Sequence, residues 1–148
     1  QDNLQDFAHY VCDYTQKFLA PSGIGCVFEM DPKNLTAAAD LPLRRSLLMA
    51  IKEALNNTVK YSGATELLLK IGHQRNHLVV IIKDNGRGFN MAAAKTGRHG
   101  LGNMSKRMTE LGGTCRVISQ AGKGCRVEFR IPLRQQSRFS LPWKWNRK

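Results

Sequence analysis

The spacing of apolar residues along the chain predicts three amphipathic helices. Residues 2–20 and 43–61 have apolar side chains at every third or fourth position, which places them on one helical face. Residues 101–111 have a shorter pattern of the same kind, followed by two glycines that are typical of a helix end. The middle helix has the clearest apolar stripe, formed by Leu47, Leu48, Ile51, Leu55 and Val59.

Shorter apolar patterns predict five β-strands, at residues 23–31, 65–72, 77–84, 114–119 and 125–131. The segment 77–84, "HLVVIIKD", has consecutive apolar residues, so we expect a central strand that is covered on both faces. In 125–131 apolar and charged residues alternate, so one face is expected in the core and the other in water. A polar turn, "HQRN", joins the second and third strands, and residues 32–42 form a loop that ends at Pro42.

The order of these elements is helix, strand, helix, two strands, loop, helix and two strands. This order predicts an α/β sandwich (α+β), with a mixed, mostly antiparallel sheet and helices packed on one face.

Several polar residues are not explained by packing. Glu53, Asn56, Asn57 and Lys60 fall opposite the apolar stripe of the middle helix. Most polar helix faces simply contact water, and this interpretation stays open. However, two adjacent asparagines in a helix are unusual, because Asn is a poor helix former. A ligand that uses their amides would account for them.

Two glycine clusters follow the predicted central strand. "KDNGRGFNM" begins at Lys83 and places Asp84 at the end of this strand. A strand that ends in Asp-Asn-Gly usually turns into a hairpin, but here no strand returns directly. Instead a polar loop leads to "GRHGLGN", residues 97–103, which enters the third helix. The chain after Asp84 is therefore rich in glycine, whose backbone can adopt conformations that other residues avoid.

Together these residue types suit a nucleotide. A buried acid can accept a hydrogen bond from an exocyclic amine such as that of adenine, and glycines allow the backbone to approach a ligand closely. A helix amino terminus suits phosphates, an Asn oxygen suits Mg²⁺, and Lys60 offers a point charge to a phosphate. Neither a P-loop nor a Rossmann site is indicated, because G-x-x-x-x-G-K-[ST] is missing and the second glycine cluster does not follow a strand.

The formal net charge of +12 raises the alternative of nucleic-acid binding. The basic residues are spread along the chain, however, and are dense only in the tail after Pro132. A scattered basic surface is more typical of solubility than of a specific DNA site, so no specific nucleic acid is expected.

The four cysteines do not have metal-ligand spacing, which favours reduced, buried thiols. Cys115 and Cys125 are expected to face each other across a hairpin, where they could bridge if oxidised. The sequence has no apolar run of the roughly 18 residues that a membrane helix needs. The chain begins inside a predicted helix without an initiator Met, as expected of a piece of a longer protein.

Three segments in order resemble the motifs of the Bergerat-fold (GHKL) ATPases. "EALNNTVKYS" resembles the N box, "DNGRGF" the first glycine box and "GRHGLGNM" the second glycine box. This superfamily includes gyrase-type topoisomerases, MutL-type repair proteins, heat-shock chaperones and sensor histidine kinases. The chain is most similar to the ATP-binding domain of histidine kinases of the nitrate-sensor and DesK-like group. The resemblance covers residues 1–134 and leaves 135–148 as a basic tail.

The resemblance implies a role for each motif residue. Glu53 would be the N-box acid of the catalytic machinery, Asn57 would ligate Mg²⁺, and Asp84 would bind the adenine amine. Residues 89–99 would form a lid over ATP. The remaining cofactor-binding positions would be Lys60, Tyr61, Gly86, Gly88, Gly100, Leu101 and Gly102.

Two residues depart from the resembled pattern. Tyr61 stands where this kinase group often has a His that contacts the nucleotide. Cys125 follows Gly124 where a Thr commonly helps to hold a water at the adenine site. A thiol is a weaker hydrogen-bond partner than a hydroxyl, which predicts a lower nucleotide affinity.

The function implied by the resemblance is that of the Mg·ATP-binding catalytic domain of a two-component sensor histidine kinase. Such a domain delivers the γ-phosphoryl group of ATP to a His on a separate dimerisation domain, from which a response regulator receives it. The parent is expected to be a membrane-anchored homodimer with this domain in the cytoplasm and with a tail that could touch the membrane. None of the four histidines lies in the helical acceptor motif, so the chain is expected to bind Mg·ATP without phosphorylating itself.

Two alternatives stay open. One is another GHKL ATPase, such as an anti-sigma-factor serine kinase, which would phosphorylate a partner protein directly. The other is a degenerate module that uses the fold for protein contacts and no longer needs a nucleotide.

Overall fold

The computed structural model describes residues 3–31, 35–89 and 100–133, which form three α-helices and five strands. The helices are α1 (Leu4–Leu19), α2 (Leu41–Asn57) and α3 (Leu101–Glu110). The strands are β1 (Gly25–Met30), β2 (Glu66–Gln74), β3 (His77–Asp84), β4 (Thr114–Ser119) and β5 (Cys125–Pro132). The predicted order of elements is confirmed, whereas the predicted basic tail lies outside the described residues.

The five strands form one sheet in the order β1-β2-β3-β5-β4. β1 pairs with β2 in parallel, and every other pairing is antiparallel. The prediction of a mixed, mostly antiparallel sheet is therefore confirmed, with β3 in the middle as its apolar sequence indicated.

The two faces of the sheet differ in burial. On the face that packs against the helices, β3 buries Leu78, Val80 and Ile82 in a core shared with all three helices. On the other face Val79 and Ile81 of the same strand are only partly buried. The prediction that β3 is covered on both faces is thus met on one face only. The alternation of β5 is confirmed, because Val127, Phe129 and Ile131 are buried between partly exposed charged residues.

Helix α2 begins two residues earlier than predicted and ends in an unusual turn. The Asp40 side chain caps it by accepting a hydrogen bond from the Leu43 amide at 2.9 Å. Pro42 lies in the first turn, where its missing N–H is no loss, so it belongs to the helix and not to the preceding loop. After Asn57 the backbone widens into one π-helical turn, Thr58–Ser62, which ends at Gly63 with a φ of 63°.

Both hairpins correct details of the predictions. Between β2 and β3 only Arg75 and Asn76 form the turn, and both have positive φ, as in a type I′ hairpin. In the β4–β5 hairpin Cys115 pairs with Phe129, whereas Cys125 pairs with Ser119. The expectation that the two cysteines face each other is therefore wrong, because the register of the strands places them four residues apart along the ladder. All four cysteines are free thiols.

Among the described residues, none of the helices combines the length and the apolar character that crossing a membrane requires.

Candidate functional site

A cavity lies between the carboxyl-terminal end of α2 and the helix-facing side of the sheet. Its walls are mostly apolar, with a few polar groups. The lining residues are Ala54, Asn57, Thr58, Tyr61, Ser62, Ile82, Asp84, Gly88, Phe89, Leu101, Val117, Cys125 and Val127. Five predicted site residues thus meet in one cavity: Asn57, Tyr61, Asp84, Gly88 and Leu101.

Regular backbone periods bring these side chains together. Along α2 and the turn after it, Ala54, Thr58 and Tyr61 recur at helical spacing and therefore face the same side. In a strand, residues two apart share a face, so Asp84 follows Ile82 into the cavity. The register of β3 and β5 then places Cys125 directly opposite Asp84.

Asp84 is the buried acid of the cavity, with 7% of its surface exposed. Its Oδ1 accepts a hydrogen bond from the Gly86 amide at 2.9 Å, and its Oδ2 accepts one from the Thr58 hydroxyl at 3.4 Å. A buried acid requires such partners, since an unpaired one is costly. Each carboxylate oxygen can accept further hydrogen bonds, so a ligand amine in the cavity could still bind here.

The first glycine box lies directly on the π-helical turn. A Cβ at Gly86 would overlap the backbone of Ser62, so only glycine fits at this close approach. The next residue, Arg87, donates from its amide to Ser62 O at 2.8 Å and from its Nε to Tyr61 O at 2.8 Å. These contacts hold the loop after Asp84 against the end of α2. Gly86 itself does not line the cavity but supports Asp84 from behind.

The amino end of α3 contacts Glu53. Gly100 precedes this helix with a φ of 62°, and a Cβ there would lie 2.5 Å from the carboxyl carbon of Glu53. Among the described residues no side chain caps α3, so its first-turn N–H groups are available to an anion. Leu101 in this turn lines the cavity, whereas Gly102 is exposed, and a Cβ there would meet no atom of the described residues within 4 Å.

Besides Gly86, Gly100 and Gly102, two charged residues of the predicted site lie outside the cavity. Glu53 lines a neighbouring groove between α2 and α3, together with Asn103 and Arg107. Lys60 is exposed on the π-helical turn and lines neither space. Of the predicted lid, residues 89–99, only Phe89 belongs to the described residues, and it lines the cavity.

Both departures from the family pattern, Tyr61 and Cys125, line the cavity. Burial and, to a smaller extent, the charge of Asp84 raise the pKa of the Cys125 thiol to about 11, against a hydrogen bond with Ser119 that lowers it. Cys125 is therefore protonated at neutral pH and presents only a weak S–H donor beside Asp84.

The sequence did not single out several residues that line the cavity, among them Thr58, Ser62, Val117 and Val127. The sequence spacing already indicated two of these residues. Thr58 follows Asn57 and lies four residues after Ala54, which places it on the same helical side, and Val127 lies two residues after Cys125 on the same strand face. Val117 is brought in only by the pairing of β4 with β5.

The donor atoms at the site favour a metal that is shared with a ligand. In the part of the chain that the structure describes, no group of three or more His, Cys, Asp or Glu residues could hold an ion by itself. Asn57, whose side chain carries an amide oxygen, lines the cavity. Mg²⁺ is usually bound by one or two protein oxygens plus substrate phosphates and waters, so these residues fit a magnesium ion that arrives with a nucleotide.

Comparison with protein families gives a match over most of the chain. The profile of the family described as "Histidine kinase-, DNA gyrase B-, and HSP90-like ATPase" matches residues 43–135. This range runs from α2 through the last strand and contains every residue of the cavity.

Curated relatives include a sensor histidine kinase and sensor proteins. The chain is 36% identical over 87 residues to "Sensor histidine kinase LiaS" of Bacillus subtilis. The matched region covers 59% of this chain and 24% of that relative. It is 33% identical over 90 residues to "Sensor protein VraS" of Staphylococcus haemolyticus, covering 61% of this chain and 26% of the relative. The chain thus spans about a quarter of the length of these relatives.

Solved structures share the fold. The histidine kinase domain of a blue-light activated histidine kinase from Erythrobacter litoralis superposes with a TM-score of 0.72 at 18% identity, covering 88% of this chain and 61% of that chain. The Acinetobacter baumannii histidine kinase AdeS gives a TM-score of 0.68 at 16% identity, and the superposition covers 90% of this chain and 66% of that chain. The predicted sandwich is confirmed by these likenesses.

Proposed function

Because the chain belongs to the family of histidine kinase-, DNA gyrase B- and HSP90-like ATPases, we propose that it is the Mg·ATP-binding catalytic domain of a two-component sensor histidine kinase. One observation carries the proposal: a buried carboxylate, Asp84, shares an apolar-walled cavity with Asn57 and with the first turn of α3, which no side chain of the described residues caps. These three features suit the three parts of Mg·ATP, which are the base, the metal and the phosphates.

The base would occupy the apolar part of the cavity. Ile82, Val117 and Val127 line this part and would contact a purine ring, and Gly88 lines it where the chain packs against the backbone of Gln120 and Gly124. Asp84 would accept a hydrogen bond from the exocyclic amine of adenine, since both of its oxygens are held in place by Gly86 and Thr58. Tyr61 would contact the nucleotide from the end of α2.

The phosphates would lie toward the amino end of α3. The N–H groups of Gly100, Leu101 and Gly102 begin this helix and carry its partial positive charge. Asn57 would hold Mg²⁺, which when bound neutralises phosphate charge, and the exposed ammonium of Lys60 would approach the phosphates from the π-helical turn.

In the transfer, an imidazole nitrogen of the acceptor His would form a bond to the γ-phosphorus while the bond to the β–γ bridging oxygen breaks and ADP leaves. Most of the help that a protein gives such a step is positioning and electrostatic stabilisation. Glu53 lies against Gly100, at the amino end of the proposed phosphate site, where it would orient the incoming imidazole. The groove that Glu53 lines offers space for the acceptor helix.

The partners follow from the class of the relatives. We propose that the acceptor His lies on a dimerisation domain of the same parent, and that a response regulator receives the phosphoryl group. The parent would be a homodimer anchored in a membrane, with this domain in the cytoplasm. The names of the relatives, a sensor histidine kinase and sensor proteins, support the acceptor His and the response regulator as partners.

Calorimetric titration with Mg·ATP tests the proposal. The native chain is expected to bind, and Asp84→Asn is expected to weaken binding by at least about tenfold, since a hydrogen bond to a charged acceptor contributes about 1.5–3 kcal/mol. Asp13→Asn is the matched control, because this exposed acid on α1 pairs with Lys17 and not with the cavity. A native chain that binds no Mg·ATP would contradict the proposal and favour a degenerate module.

The acceptor chemistry needs a second measurement. Incubated alone with labelled ATP, the chain is expected to gain no stable phosphohistidine. Mixed with a helical domain that carries an acceptor His, it should transfer the label in an acid-labile form. Acid-stable label on a partner would instead identify a serine kinase.

A further inference from the structure

Thr58 contacts the proposed base-binding carboxylate from inside the cavity. It is 97% buried and is the first residue of the π-helical turn, directly after Asn57. Its Oγ1 lies 3.4 Å from Asp84 Oδ2 and 3.3 Å from the Ala54 carbonyl oxygen. Val has nearly the shape of Thr but carries a methyl group in place of the hydroxyl, so Thr58→Val removes both of these contacts.

The two hydrogen bonds to Asp84 are of different kinds. The Gly86 amide that binds Oδ1 belongs to the backbone and stays in place whatever the ligand. The Thr58 hydroxyl that binds Oδ2 has a single proton and two acceptors within reach. This hydroxyl can therefore donate its proton either to Oδ2 or to the Ala54 carbonyl oxygen, and a proton on the Oδ2 side holds the orientation of this oxygen.

Neighbouring groups are poorly suited to replace this hydroxyl. Ser62 donates to the Thr58 carbonyl oxygen, and Ser119 donates to the Gly124 carbonyl oxygen at 3.2 Å. Cys125 lies opposite Asp84 in the β3–β5 pairing, but its thiol is a weak donor.

We propose that Thr58 is a positioning residue that makes the cavity selective for an amine-bearing purine by fixing the orientation of the Asp84 carboxylate. This inference rests on the proposed function, because it assumes that a purine nucleotide occupies the cavity. The residue acts through Asp84 and not through its own contact with the base. Its removal should therefore weaken recognition of the amine and leave the remainder of the nucleotide site intact.

The test compares two nucleotides that differ at this group. Inosine triphosphate has a carbonyl oxygen where ATP has the amine. The native chain should bind Mg·ATP more tightly than Mg·inosine triphosphate in calorimetric titrations. Thr58→Val should raise the Kd for ATP about tenfold and leave the Kd for inosine triphosphate within about twofold. Thr58→Ser, which keeps the hydroxyl, should restore most of the preference for ATP.

Thr15→Val is the matched control. Thr15 is the other fully buried threonine of the described helices, and its hydroxyl has no partner among the described residues. It lies on α1 and does not line the cavity, so this variant should keep both affinities. Thr58→Ala is a second variant without the hydroxyl and should lose the preference for ATP as Thr58→Val does.

The outcomes separate the two proposals. Equal loss of affinity for both nucleotides in Thr58→Val and Thr58→Ala would show a merely structural role and overturn the inference, as would an unchanged preference for ATP. A native chain that binds neither nucleotide would overturn the proposed function itself. Loss of the preference in the two variants without the hydroxyl, with rescue by Thr58→Ser, would support the inference.

Discussion

The two ends of helix α2 are built in different ways. At the amino end Asp40 caps the helix, Pro42 lies in the first turn, and Leu43 and Leu47 are buried against the core. At the carboxyl end the residues Asn57 and Thr58 are polar instead of apolar, and the backbone widens into a π-helical turn that ends at Gly63. The first end follows the rules of helix stability, and the second departs from them.

The departure has a physical meaning. π-helical turns are rare and frequently occur at functional sites, because the wider backbone is less favourable than an α-helix. Here the turn aims Tyr61 and Ser62 at the cavity and provides the surface on which Arg87 of the glycine loop is held. One helix thus supplies core packing at its start and cavity-lining residues at its end, so substitutions at the two ends should separate stability from binding.

The largest effect on stability is expected from Leu47→Ala. Leu47 is fully buried in the amino-terminal half of α2, and removing its side chain leaves a cavity that costs about 2–5 kcal/mol of unfolding free energy. Urea denaturation measures this loss, while the Kd for Mg·ATP of the folded fraction should stay within about twofold.

Met49→Ala serves as its control, because Met49 is exposed and its loss should change stability by no more than about 0.5 kcal/mol. If Leu47→Ala weakened nucleotide binding more than it weakened the fold, the division of α2 into two functional ends would fail.

At the other end, Asn57→Ala should give the opposite result. The Kd for Mg·ATP is expected to rise about tenfold, or about 1.4 kcal/mol, because the metal loses its protein oxygen. The Kd for ATP measured with a chelator should not change, and the thermal midpoint should move little. Asn56→Ala is the adjacent control, since Asn56 does not line the cavity. An equal effect with and without Mg²⁺ would contradict a metal role for Asn57.

Asp40→Ala should have the smallest effect of the three. Loss of an N-cap side chain costs about 1 kcal/mol of unfolding free energy. Asn3→Ala, at the cap of α1, removes an equivalent hydrogen bond to the Asp6 amide and should cost a similar amount. Neither variant should alter nucleotide binding in titrations, and a change in the Kd for Asp40→Ala would show that the two ends of α2 are coupled.

The elements of the fold were predictable because each depends on nearby residues. The helical period of residues 43–61 and the alternation of 125–131 both appear in the structure, since a side chain's direction repeats with the backbone geometry. The boundaries of the elements were less predictable. The sequence pattern placed Pro42 at the end of a loop, whereas in the structure it lies in the first turn of α2, where a helix tolerates proline.

Of the candidate site, sequence motifs located Asp84 and Asn57, which the structure places in one cavity. They did not reveal the Thr58 contact, because its two partners lie 26 residues apart in the chain and meet only when α2 packs on β3. Nor did they indicate that Lys60 would be exposed away from the cavity.

The sequence by itself determined the helices, the strands, the mixed sheet and the acid, amide and glycine segments of the site. Only the tertiary structure decided that Cys125 lies opposite Asp84, that Glu53 contacts Gly100 and that Cys115 does not face Cys125. The reason is physical: local periodicity fixes which way a side chain points, whereas strand register and helix packing fix which distant side chains meet.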